Sequence, residues 1–262
     1  MIEIQWGGSP WPRAKSVQLA GLAGILLGLL ACGKSTLAPH EAQRAPAAQQ
    51  CNLDRIWIHA LEDLADMSSS DFDTCNAACD HKDSVGCVGA GLLLYEGRAV
   101  PKGETKARSL LEQQCKANDS MGCIALSMLA LDTEAAMRGT ALPEEELLAR
   151  RCDHGEIRAC DVLGWFYRQR VVRVHREEDN APAVKYSLAA CHVGSRLGCT
   201  GVAWLQVNGF GVPKDEKKAF DTFQKQCLTG YAPACNTLGN LYYLGNIVEQ
   251  DLTKAAELYR SS

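Results

Sequence analysis

Residues 191–235 read CHVGSRLGCTGVAWLQVNGFGVPKDEKKAFDTFQKQCLTGYAPAC, a stretch that opens and closes on a cysteine pair. Cys191 and Cys199 have seven residues between them, and so do Cys227 and Cys235. The same pair stands three times upstream, at Cys79 and Cys87, Cys115 and Cys123, and Cys152 and Cys160. Successive pairs recur after 36, 37, 39 and 36 residues. Self-similarity at that period marks a repeat array, in which each unit is one supersecondary element that must stack on its neighbours.

The residues after each second cysteine define the unit. Three positions on stand Ala90, Leu126, Leu163, Val202 and Leu238; six on stand Leu93, Leu129, Phe166, Leu205 and Leu241. Between them, four positions on, the residue is always small: Gly91, Ser127, Gly164, Ala203 and Gly239. Apolar residues at that spacing predict a helix, and the small residue predicts a partner helix packed close over it. Gly97, Gly209 and Gly245, ten positions on, suit a left-handed residue just past the helix end. Second helices are expected near Glu104–Lys116, Glu144–Asp153, Ala183–Val193, Glu216–Leu228 and Leu252–Tyr259. Four of them finish at the first cysteine of the next pair. The bridges Cys79–Cys87, Cys115–Cys123, Cys152–Cys160, Cys191–Cys199 and Cys227–Cys235 would each close the corner between units. Loop closure over so few residues stabilises by roughly 2–3 kcal/mol per bridge.

The totals agree. Of 262 residues 47% are hydrophobic and only 6% aromatic, which favours helix over β-sandwich. A formal charge of −4 excludes a generally basic nucleic-acid binder. Zinc modules group cysteines two to four residues apart, so thirteen cysteines at this wider regular spacing read as disulfides of an oxidising compartment.

Export is expected from the N-terminus as well. Arg13 and Lys15 precede an apolar run from Val17 to Leu30, too short to span a bilayer as a helix but suited to a signal-peptide core. The run ends Leu29-Leu30-Ala31-Cys32, which looks like a bacterial lipobox with Cys32 as the lipidated residue; several acyl chains give stable anchoring. Residues 1–31 are thus expected as a lipoprotein signal peptide, 32–50 as a flexible tether and 51–262 as the repeat domain. Without Cys32 twelve cysteines remain, and Cys51 and Cys75 can form a sixth bridge. Leu53, Ile56, Trp57, Leu61 and Leu64 fall on one face of a helix preceding the first unit.

Gly209-Phe210-Gly211-Val212 with Asp215, Lys218 and Ala219 resembles the Sel1-like repeat pattern G-x-G-V-x-x-D-x-x-K-A. The last unit repeats it with Gly245, Val248, Asp251, Lys254 and Ala255, and the first with Gly97, Val100, Lys106 and Ala107. Units two and three lack the glycine loop and carry DTEAAMRGTALPEE and RQRVVRVHREEDNAP instead. With its paired cysteines the chain is similar to the Helicobacter cysteine-rich secreted proteins, a disulfide-stapled branch of that group. The resemblance implies an all-α, right-handed α/α solenoid.

It also raises an enzymatic rival, since some members of that branch are described as penicillin-binding or weakly β-lactam-hydrolysing. Serine enzymes of that kind need S-x-x-K, S-D-N and K-T-G, none of which occurs here. GLLACGKS at 28–35 matches the P-loop pattern, but its first glycine lies in the apolar run and no strand precedes it. Neither a cofactor nor a metal is expected. Five positions after each second cysteine stand Leu92, Met128, Trp165, Trp204 and Asn240. This row points away from the second helices, and in a solenoid it would line the inner groove, with the tryptophans as anchors or packed sideways on neighbouring first helices. Arg168, Arg170, Arg173, His175 and Arg176 form a basic run in the third unit. The reading is an envelope-anchored, non-catalytic scaffold that binds a protein or peptide, with no nucleic acid and with membrane contact through the lipid.

Overall fold

The computed structural model describes residues 50–62 and 67–261. The expected signal segment, Cys32, the tether up to Gln49, and Leu64 lie outside the described residues.

Helices follow one another as α1 (Leu53–Glu62), α2 (Ser69–Asp80), α3 (Ser84–Glu96), α4 (Glu104–Lys116), α5 (Ser120–Leu131), α6 (Glu134–Met137), α7 (Pro143–Asp153), α8 (Ile157–Val174), α9 (Asn180–His192), α10 (Arg196–Asn208), α11 (Glu216–Leu228), α12 (Ala232–Leu244) and α13 (Leu252–Arg260). From α2 to α5 and from α7 to α13 each helix packs on the next, α1 packs on α3 and α6 on α5 and α8, and the first helices α3, α5, α8 and α10 also touch in series. The result is an α/α solenoid of stacked helix pairs.

Every corner between units is built alike. The first cysteine closes a second helix, and three residues later comes a left-handed residue: Lys82, Asn118, Gly155, Gly194 and Gly230, with φ of 64°, 62°, 88°, 91° and 77°. That turn lets the N–H of Asp83, Asp119, Glu156, Ser195 and Tyr231 donate to the carbonyl five residues back, at 3.0–3.1 Å. It is a Schellman-type stop, which satisfies carbonyls the helix end would otherwise leave open. The residue making that bond is also the N-cap of the next helix. Asp83, Asp119 and Ser195 accept from the backbone N–H of Val85, Gly122 and Gly198. The disulfide then joins the two helices across the turn, with Cα–Cα distances of 4.4, 4.4, 4.8, 4.5 and 4.6 Å.

The loop pattern of units one, four and five has an equally direct cause. Gly97, Gly209 and Gly245 are left-handed C-caps with φ of 73°, 72° and 67°. Asp215 and Asp251 are N-caps, accepting from the N–H of Lys218 and Lys254 at 3.0 and 2.9 Å. Ala219 and Ala255 face the core. Units two and three differ. In unit two the insertion forms α6. In unit three α8 simply continues to Val174, so Arg168, Arg170 and Arg173 are helical, while His175 is its left-handed C-cap and Arg176 follows it. The first half of the basic run is not solvated, whereas Arg173 and His175 are exposed. Arg168 and Arg170 are buried, and Arg170 lies 2.8 Å from Asp179 and 3.6 Å from Glu145, over the rings of Phe166 and Tyr167.

The small residue of each first helix meets the second helix as its size implies. A Cβ on Gly164 would lie 2.9 Å from Ser187 Oγ and 3.1 Å from Ser187 N. Because the second obstacle is backbone, it cannot rotate aside. Gly164→Val is therefore expected to destabilise the domain by about 1–3 kcal/mol. A urea midpoint that falls at unchanged slope checks this; an unchanged midpoint would contradict the close packing.

Candidate functional site

The first four residues of the row five positions after each second cysteine lie in the apolar clusters that α1 joins, whereas Asn240 lies against α13. Leu92, Met128, Trp165 and Trp204 are 0%, 3%, 7% and 2% exposed. Asn240 is half-buried and accepts a hydrogen bond from the Tyr259 hydroxyl at 2.6 Å. The first four are thus not an open surface in this state. Ile56, Trp57 and Leu61 of α1 share one apolar cluster with Leu92, Met128, Trp165 and Phe166. Ile58 packs on a second cluster that contains Trp204, Tyr231 and Leu238. Trp204 also stacks at a tilt on Phe210 of its own unit, with ring centroids 5.6 Å apart.

Helix α1 was expected to bury one face. Instead Ile56, Trp57, His59, Leu61 and Glu62 are buried, and only Asp54 among its residues is fully exposed. A helix covered nearly all round lies inside a structure and not on its surface. Two ion pairs tie it to α8. The Arg158 guanidinium bonds Asp54 and sits 5.5 Å from the Trp57 ring centroid. Arg168 Nη2 lies 3.5 Å from Glu62 Oε1, with side chains 7% and 3% exposed. The Cys51–Cys75 bridge, Cα–Cα 4.7 Å, fastens the start of α1 to α2. Gly89 of α3 makes room for it, since a Cβ there would lie 2.6 Å from Cys51 Sγ.

Burial sets the electrostatics. Desolvation pushes the Glu62 carboxyl up to about 7, against the opposing pull of Arg168. Asp161 is raised to about 6 by burial, opposed by the Ser195 hydroxyl that donates to it at 2.5 Å. Glu96, at the end of α3, is raised to about 7 by burial, and both its oxygens lack a hydrogen-bond partner.

Two cavities flank α1. One of about 500 Å³ is lined by Asp54 and Ile58 together with Ile124, Arg158, Arg196 and Tyr231. The other, of about 220 Å³, lies between His59 and Ala60 of α1 and Glu96, Met128, Trp165 and Gln169. Among the described residues no group of three or more His, Cys, Asp or Glu side chains could hold a metal ion, and no helix is long and apolar enough to cross a membrane. Helix amphipathicity was readable in α1. Its two-sided burial was not, because it depends on Arg158 and Arg168, more than a hundred residues away.

Three segments, 84–119, 196–225 and 232–262, match the Sel1 repeat family model. The matched segments are units one, four and five, and the two units with altered loops fall outside them. A Sel1 repeat protein from Oxalobacter formigenes superposes with a TM-score of 0.51 at 17% identity, covering 80% of this chain and 83% of that one. That likeness concerns the fold. A protective antigen present in uropathogenic Escherichia coli strains, displaying an SLR fold, aligns with a TM-score of 0.47 and 22% identity over 80% of this chain and 44% of its own. No curated protein matches the sequence.

Arg168→Met leaves the Glu62 carboxylate buried and unpaired, and is expected to cost about 3–5 kcal/mol. Adding Glu62→Leu should recover most of that loss in denaturant titrations; no recovery would contradict the pairing. Glu96 binds its proton more tightly folded than unfolded, where its ordinary value is 4.5. Its contribution is full below pH 4.5 and is lost as pH rises through 7. Glu96→Gln is expected to flatten the decline in stability across that window, read as Tm against pH.

Proposed function

We propose that the chain is an exported scaffold for protein or peptide recognition, anchored to a bacterial membrane through a lipidated Cys32, without catalysis or cofactor. The observation that carries this reading is the set of five identical bridged corners, joined by Cys51–Cys75. Disulfides on that scale form and persist outside the reducing cytoplasm. An Ala31-Cys32 junction behind an apolar run supplies both a route out and an anchor. Sel1 repeats generally mediate contacts between proteins, and as scaffolds they are generally non-catalytic. The residues of the serine β-lactam enzymes are missing from the sequence.

The reading assigns three parts to the chain. Residues 1–31 direct export, residues 32–50 hold the domain off the membrane, and the solenoid from Cys51 onward does the binding. Arg168 and Arg170 take no part, because they are committed to internal carboxylates.

Cys32→Ser separates the anchor from the domain. Expressed in a bacterial host, the wild-type chain is expected in the membrane fraction and the variant in the soluble periplasmic fraction, with the same circular dichroism. Cys32→Ser protein that remains membrane-bound would contradict lipid anchoring. The variant also serves as bait, and stoichiometric capture of an envelope protein is the expected result. Covalent labelling of the bait by a fluorescent penicillin would replace the scaffold reading with an enzymatic one.

A further inference from the structure

Helix α1 has the attributes of a ligand. It is short, it is buried on nearly every side, and it presents apolar residues between two acids: Asp54, Ile56, Trp57, Leu61 and Glu62. The acids stand eight residues apart, just over two helical turns, and meet Arg158 and Arg168 on the same helix of the groove. The Cys51–Cys75 bridge ties its start to α2.

As a ligand it fits incompletely. It leaves a cavity of about 500 Å³ along Asp54 and Ile58 and another of about 220 Å³ along His59 and Ala60. Beside the smaller cavity the indole N–H of Trp165 and the amide oxygen of Gln169 are buried without a hydrogen-bond partner. The groove also keeps its two arginines whichever helix fills it.

We propose that α1 is an internal occupant of a helix-binding groove, and that the scaffold's partner is an amphipathic helix displacing it. That helix carries two acids about eight residues apart, facing Arg158 and Arg168, with large apolar side chains between them. The inference rests on the scaffold reading and names its partner class. An intramolecular occupant sets an affinity threshold, because any partner must outcompete a segment held at high effective concentration. It also shields Leu92, Met128, Trp165 and Trp204, which would otherwise form an exposed apolar strip prone to self-association.

The test uses the full chain with Cys51→Ser and Cys75→Ser, which keeps the five corner bridges. A fluorescent peptide of residues 50–68 carrying Cys51→Ser is titrated in, while amide exchange is followed in α1 and α8. Exchange in α1 is expected to be at least tenfold faster than in α8, with saturable peptide binding. The peptide with Asp54→Lys and Glu62→Lys should bind at least tenfold more weakly, as should the parent peptide to the oxidised wild-type chain. Equal binding of the two peptides, no binding at all, or exchange in α1 as slow as in α8 overturns the proposal. If the double-serine chain does not fold, the same titration on Asp54→Lys with the bridge intact decides, since that exposed side chain meets the groove at Arg158. Capture of an envelope protein by a chain whose α1 stays protected keeps the scaffold reading and rejects this one.

Discussion

The bridged corner is the constraint from which the architecture follows. A helix stops at a left-handed residue, the next N–H folds back to the carbonyl five residues earlier, and that same residue caps the following helix. A disulfide then holds the two helices so that neither can leave the other. Lys82 and Asn118 occupy the left-handed position in two units, at a conformational cost that glycine avoids in the other three. A bridge over eight residues, worth roughly 2–3 kcal/mol, comfortably exceeds that cost. Angles between helix pairs are therefore set locally, five times over, and the solenoid is their sum.

A repeating frame leaves one face of its first helices to be covered by something else. Here the cover is α1, which comes before the repeats in sequence, packs on α3, pairs with α8 and joins the apolar clusters of the repeats. The frame supplies apolar contacts evenly, whereas charge is concentrated on α8. Arg158 and Arg168 pin α1 at its two ends, and Arg170 holds the extended part of the same helix to Glu145 and Asp179. Unit three thus departs from the repeat pattern because its first helix carries these extra contacts. Its additional turns replace the glycine loop that ends the first helix in units one, four and five.

The features legible in the sequence were those governed by neighbours within one unit. The second helices α4 and α11 begin and end where acidic starts and terminal cysteines place them, and the glycine caps fall at Gly97, Gly209 and Gly245. What escaped is non-local. Arg168 and Arg170 read as a solvated basic run because their carboxylate partners Glu62, Glu145 and Asp179 come from three separate segments. The row from Leu92 to Trp204 was placed on the inner face, but nothing local in the chain indicates that α1 covers it. The left-handed corner residue was legible in principle. Three glycines at Gly155, Gly194 and Gly230 share one offset from the first cysteine, and Lys82 and Asn118 obscure the pattern.

The architecture depends on which sulfur is joined to which. Peptide mapping of the non-reduced domain by mass spectrometry measures that directly. The expected result is five cross-links, each between cysteines eight residues apart, and a sixth between Cys51 and Cys75. Free thiols at the paired positions, or cross-links between different corners, would contradict it.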